Sequence, residues 1–238
     1  MRRNRQCIIA ALTALLAVGL ASRACAQQQP SVAERVATLK ASLILSQTAL
    51  KQYEWVETTV VSLKGKEKSS KLNRCYYGAD GVLTKVPLTT PPAPQKKRGL
   101  RGKIIEKKTE EMTDYMQQAV GLVKSYVPPD PSRIQAAKEA GKVTVDILKK
   151  GERVRLSFRD YHKPGDTLGV EIDTASNRLV GLKVSSYLEN TEDAVTLDVK
   201  FAKLADGTSY AKTTTLDATK KKVKVQMENA GYRKMAKE

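Results

Sequence analysis

His162 is the chain's single histidine, and it sits among the most chemically varied residues of the sequence, Asp160-Tyr161-His162-Lys163-Pro164-Gly165-Asp166. A nucleophile, base and acid relay would have to run through this imidazole, and a metal centre generally draws on more than one nitrogen or sulfur ligand. Proline and glycine inside the run point instead to a solvated hairpin turn. Carboxylates are plentiful, but no two are set apart as the pair that glycoside hydrolysis needs. No catalytic residue, metal ligand or cofactor site is therefore assigned, and the chain is not read as an enzyme. Cys75, beside Tyr76 and Tyr77, reads as a small semi-buried residue rather than a reactive thiol.

The remaining chemistry is charge. The 238 residues carry 42 Lys and Arg against 25 Asp and Glu, a formal charge of +17. Basic side chains concentrate at Lys96, Lys97, Arg98, Arg101 and Lys103, and again at Lys220, Lys221, Lys222 and Lys224. Nucleic-acid binding would call for interleaved aromatics or a known module, and the chain has only two Phe and one Trp. No nucleic-acid partner is expected. An anionic membrane surface or envelope polymer suits the first cluster better, at about 1 kcal/mol per contact near a charged bilayer. Lysines flanking strands also serve simply to keep a sheet edge soluble and unpaired, and that reading stays open.

Residues 1 to 26 have the three parts of a secretory signal. Arg2, Arg3 and Arg5 precede the apolar run Cys7 to Ala21, and Ala24-Cys25-Ala26 supplies small residues for cleavage after Ala26. The run is too short for a membrane-spanning helix, which needs roughly 20 apolar residues. The expected location is the periplasm. Cleavage would remove four arginines and two cysteines, leaving a 212-residue chain of charge +13 with Cys75 alone. Such a chain forms no internal disulfide, and is long enough to be held by its core.

These residues must be positioned by a sheet and helices. Ser31 and Glu34 form a capping box, and Val32, Val36, Leu39, Leu43 and Leu50 recur at helical spacing, predicting a helix over residues 31–50. Strands follow at Tyr53 to Leu63, Lys71 to Tyr77 and, after an Asp80-Gly81 turn, Val82 to Val86. Residues 87 to 103 have loop composition, with four prolines and the first basic cluster. Behind them Met112, Tyr115, Met116, Ala119, Leu122, Val123 and Tyr126 share a helical face, and Asp130, Pro131 and Gly141 bracket a short third helix. A loop and helical insertion at about residues 87–141 thus divides two groups of strands.

From Lys142 the period becomes two. Val154, Leu156 and Phe158 alternate with polar residues, as do Leu168, Val170 and Ile172, then Val180 to Val184, Val195 to Phe201 and Val223 to Met227. Short turns between them require antiparallel neighbours. The expected fold class is α+β. A large curved antiparallel sheet, an open half-barrel, is covered on its concave side by the N-terminal helix and the insertion, in one domain over residues 27–238.

This order of elements resembles the periplasmic outer-membrane lipoprotein carrier family, which includes the lipoprotein receptor and an envelope-stress sensor (the LolA/LolB/RseB-like proteins). The closest residue-level likeness runs from Ser157-Phe158-Arg159-Asp160-Tyr161 through Gly165-Asp166 to Ile172-Asp173. The resemblance implies a cavity between sheet and helices that holds acyl chains. Candidate lining on the helical side is Met112, Tyr115 and Met116. On the sheet it is Trp55, Val154, Leu156, Phe158, Leu168 and Val170. Methionines suit variable chains because their side chains adapt.

Two functions follow. One is a carrier or sensor that takes an acyl chain or lipoprotein. The other is an interaction protein with a filled core, which meets an anionic surface or partner through its basic loop.

Overall fold

The computed structural model describes residues 32–89 and 100–235. The proposed cleavage site and Lys96, Lys97 and Arg98 lie outside the described residues. Three helices and ten strands follow the chain. They are α1 (Val32–Leu50), β1 (Tyr53–Leu63), β2 (Lys66–Tyr77), β3 (Leu83–Pro87), α2 (Leu100–Lys124), α3 (Pro131–Glu139) and β4 (Val143–Lys149). The chain then runs through β5 (Arg153–Arg159), β6 (Thr167–Asp173), β7 (Arg178–Tyr187), β8 (Ala194–Lys203), β9 (Ser209–Ala218) and β10 (Val223–Lys234). The strands form one open antiparallel sheet in the order β3-β2-β1-β10-β9-β8-β7-β6-β5-β4. The fold is the expected α+β half-barrel. No helix among the described residues is long and apolar enough to cross a membrane.

Local chemistry explains most boundaries. Asp130 accepts from the Ser132 N–H at 2.8 Å, Pro131 occupies the first helical position of α3, and Gly141 takes φ +66° just beyond its end. β2 starts five residues earlier than its composition predicts. Lys64 and Gly65 both adopt positive φ, which makes the tight turn that hairpins favour, and pairing with β1 then forces Lys66 to Ser70 into the ladder. β9 is the strand that apolar alternation misses, because Thr213, Thr214 and Thr215 interrupt it. Threonine's branched side chain nonetheless suits a strand.

Leu100, Arg101 and Lys103 lie in the first turn of α2 and not in a loop. The last proline before them is Pro94, and leucine, arginine and lysine are good helix formers that tolerate one Gly102.

β1 pairs with β10, so the amino-terminal meander is joined to the carboxy-terminal strand. This leaves β3 and β4, which flank the insertion in sequence, at opposite edges. Ten strands at about 4.8 Å spacing give a sheet about 43 Å across, and the 25 residues of α2 reach about 37 Å. The insertion must therefore strap the concave side from edge to edge. There α2 meets β8, α3 meets β5, and α1 packs on β9 and α3.

Apolar side chains from all three helices and from β5 to β9 meet in one core, with Ala119, Tyr126, Phe158, Leu168 and Val195 wholly buried.

Candidate functional site

α2 carries two adjoining stripes. Tyr115, Ala119 and Val123, followed by Tyr126 just past the helix end, turn into the core. Ile105, Met112, Met116 and Val120, at seven- and four-residue spacing, face a groove. The opposite wall is built from two hairpin tips, Leu63 and Lys64 between β1 and β2, and Lys220, Lys221 and Lys222 between β9 and β10. A hydrogen bond of 2.8 Å from the Lys64 N–H to the Lys222 carbonyl links the tips. The groove is open to solvent and has a volume of about 1270 Å³, above the roughly 300–1,000 Å³ usual for small-molecule sites. Its apolar floor is edged by six lysines, with Lys108 and Lys124 on the helix, against the single carboxylate of Glu111. Lys64 and Lys222 both hold φ near +54°, a conformation that favours glycine. Lysine is thus kept at two tips where the backbone would prefer another residue.

Two buried carboxylates fasten α2 beside this groove. Asp193, 2% exposed, accepts the Tyr115 hydroxyl at 2.7 Å and lies 3.3 Å from the Lys220 ammonium. Burial, then this hydrogen bond to a carboxylate, pushes the Tyr115 phenol up to about 12. Asp166, 1% exposed, accepts the Tyr126 hydroxyl, which also bonds Ser186 Oγ at 2.8 Å. The backbone N–H groups of Tyr161, His162 and Lys163 also converge on Asp166, at 2.7, 3.1 and 2.8 Å.

The run from Asp160 to Asp166 is the β5–β6 turn its composition suggests, with Asp160, His162, Pro164 and Gly165 exposed, but Tyr161 and Asp166 within it are buried. Through Asp166 the turn holds Tyr126, just beyond the end of α2. The Arg133 guanidinium donates to Nδ1 of His162, whose ring edge meets Tyr126 at 5.5 Å. Burial and Arg133 lower the proton affinity of this imidazole. Among the described residues no cluster of three or more His, Cys, Asp or Glu side chains is arranged to hold a metal.

Of the nine residues expected to line a cavity, Met112 and Met116 reach the groove. Tyr115, Leu156, Phe158, Leu168 and Val170 belong to the closed core, and half-buried Val154 packs at its margin. The helices meet the β5–β8 part of the sheet tightly. Leu156→Trp should accordingly over-pack this core and lower stability by about 1–3 kcal/mol, read by urea unfolding; an unchanged midpoint would mean that space exists beside Leu156.

Trp55 lies elsewhere, in an aromatic cluster with Tyr77 at 5.8 Å and Tyr232 at 5.4 Å, and its indole N–H donates to Asn229 at 3.1 Å. Cys75 is wholly buried, and burial raises its thiol pKa. Of the basic cluster, Lys103 is exposed on α2.

The lysine tips of the groove were legible as a charge run, but their meeting with Met112 and Met116 was not. Asp166 and Asp193 carried no signal beyond being acids beside turns.

An open half-barrel, strapped by helices and grooved along one strap, is the class that fold and site define. No family model matches the chain. No curated protein matches it either. Among solved structures it is similar to an outer membrane lipoprotein-sorting protein domain, so assigned, from Vibrio parahaemolyticus, with 9% identity, a TM-score of 0.43, and coverage of 86% of this chain and 94% of that one. A LolA superfamily protein from Nitrosomonas europaea shows 7% identity and a TM-score of 0.37, over 84% and 94% of the two chains. The MucA/MucB complex of Pseudomonas aeruginosa gives 10% identity and a TM-score of 0.23, over 85% and 99%. Likenesses this low carry no argument about a ligand or partner, which must come from the groove itself.

Proposed function

We propose that this is an exported, non-enzymatic carrier or sensor of the periplasm, and that it holds the acyl chain of an anionic amphiphile, a lipid or a lipoprotein anchor, in the α2 groove. The observation behind this reading is the pairing of an apolar floor, Ile105, Met112, Met116 and Val120, with a rim of six lysines. An acyl chain gains from leaving water along the floor, adaptable methionines fit chains of different shape, and a phosphate or carboxylate headgroup is attracted by the rim. Lysine at the two positive-φ tips supports the same reading, since strain retained at a site often accompanies a role there.

Binding of a fluorescent fatty acid in lipid-free buffer tests it. Met116→Trp should obstruct the floor and weaken binding about tenfold or more, at a modest cost in melting temperature because Met116 is half-buried and packs at the margin of the core as well as facing the groove. Lys64→Gly with Lys222→Gly should weaken it severalfold, and more at low salt, while suiting the backbone. A parent protein that binds no such probe would reject the carrier reading. The complete burial of Phe158, Leu168 and Tyr126 favours the second reading in that event, an interaction protein with a filled core.

A further inference from the structure

The sheet supports only part of α2. Tyr115, Ala119 and Val123 are buried, yet every side chain from Lys103 to Glu111 is exposed. Two of these are isoleucines, Ile104 at 55% and Ile105 at 45% exposure. Helical spacing puts them with Lys108 and Glu111 on the same side as Met112 and Tyr115, while Lys103, Glu106 and Glu110 fall on the far side. The apolar face of the helix thus runs out of the core, along the groove through Met112, and on to two isoleucines that are about half exposed. Lys107 and Lys108 accompany them, one turn on, Lys96, Lys97 and Arg98 precede them in the chain, and Ile105 and Lys108 are also part of the groove wall.

We infer that the first turns of α2 dock on an anionic membrane surface, with Ile104 and Ile105 entering the headgroup boundary and the groove opening toward the lipid. Charge complementarity decides the occupant. An uncharged partner would have no use for lysines around the isoleucines, whereas a helix with an apolar edge among basic side chains is the form that lies in an anionic interface. The docking rests on the exposed helix face alone. Its consequence, that an amphiphile passes between bilayer and groove without crossing water, rests on the carrier reading above.

Sedimentation of the exported chain with phosphatidylglycerol–phosphatidylcholine vesicles and with pure phosphatidylcholine vesicles is the test. The parent should bind the anionic vesicles, and more weakly as salt rises. Ile104→Ser with Ile105→Ser should bind about tenfold or more weakly at low salt, since the buried apolar area is lost and the charges remain. Its melting temperature should move little, because both side chains are about half exposed and neither belongs to the buried core. Equal binding by the double variant, or equal binding of the parent to both vesicle types, would overturn the docking. So would loss of self-association by the double variant without vesicle binding in the parent, which would show a second copy of the chain on this face. Met116→Trp separates the two ideas: it should lose the fatty-acid probe and keep vesicle binding. Vesicle binding that depends on the isoleucines, in a protein that takes no probe, would sustain the docking and reject the carrier.

Discussion

Asp166→Ala is expected to lower stability by about 3–5 kcal/mol, because it orphans two buried and two half-buried donors together. The carboxylate receives three backbone N–H groups from the β5–β6 connection and the Tyr126 hydroxyl from the end of α2. Each buried donor left unpaired costs about 1–3 kcal/mol, partly recovered where water enters. Tyr126→Phe removes one donor and should cost less, about 1–2 kcal/mol, since Asp166 keeps its backbone partners. Urea unfolding followed by circular dichroism measures both. A loss below about 1 kcal/mol for Asp166→Ala would restore the reading of this segment as an ordinary surface turn. The same variant should weaken fatty-acid binding, as Tyr126 helps fix the helix that walls the groove.

Phe158→Ala should cost about 3–5 kcal/mol, the range for emptying a large aromatic from a packed interior. Phe158 is wholly buried on β5, paired with Leu168 on β6 and Val143 on β4, inside the core that receives α2 and α3. If Phe158 lined an open ligand cavity instead, its truncation would enlarge that cavity and change probe affinity at small cost in stability. Thermal unfolding and probe titration on this one variant give opposite answers for a filled and an open concave face. The expected result is a large drop in stability with probe affinity retained below the unfolding transition, because the groove lies along α2 and the hairpin tips.

Much of this architecture could be read without coordinates. The limits of β1, β5, β6 and α3 followed from period, Asp130 as cap and Gly141 beyond the helix, because those signals act over a few residues and are carried by the residues themselves. The α+β class followed as well: strands with one dry face, joined by short turns, must make an antiparallel sheet, and that face must be covered. The lysine run 220–222 and the methionines of α2 were visible one by one.

Tertiary structure decided what met what. Pairing of β1 with β10 joins residues 160 or more apart in the chain, and no local signal records such a choice. It sends β3 and β4 to opposite edges and makes the insertion a strap. The strap's path then determines which apolar residues close into a core and which border a groove. Phe158 and Met116 look equally apolar in sequence, yet one is sealed beneath the helices and the other faces lysines from two hairpins distant in the chain, Lys64 on one side and Lys220 to Lys222 on the other. Asp166 and Asp193 show the same limit for polar groups, since an acid by itself does not disclose that a distant tyrosine hydroxyl will pair with it under burial. Periodicity tells that a face is dry; only the packing of distant segments determines whether that face is filled, open or left without cover.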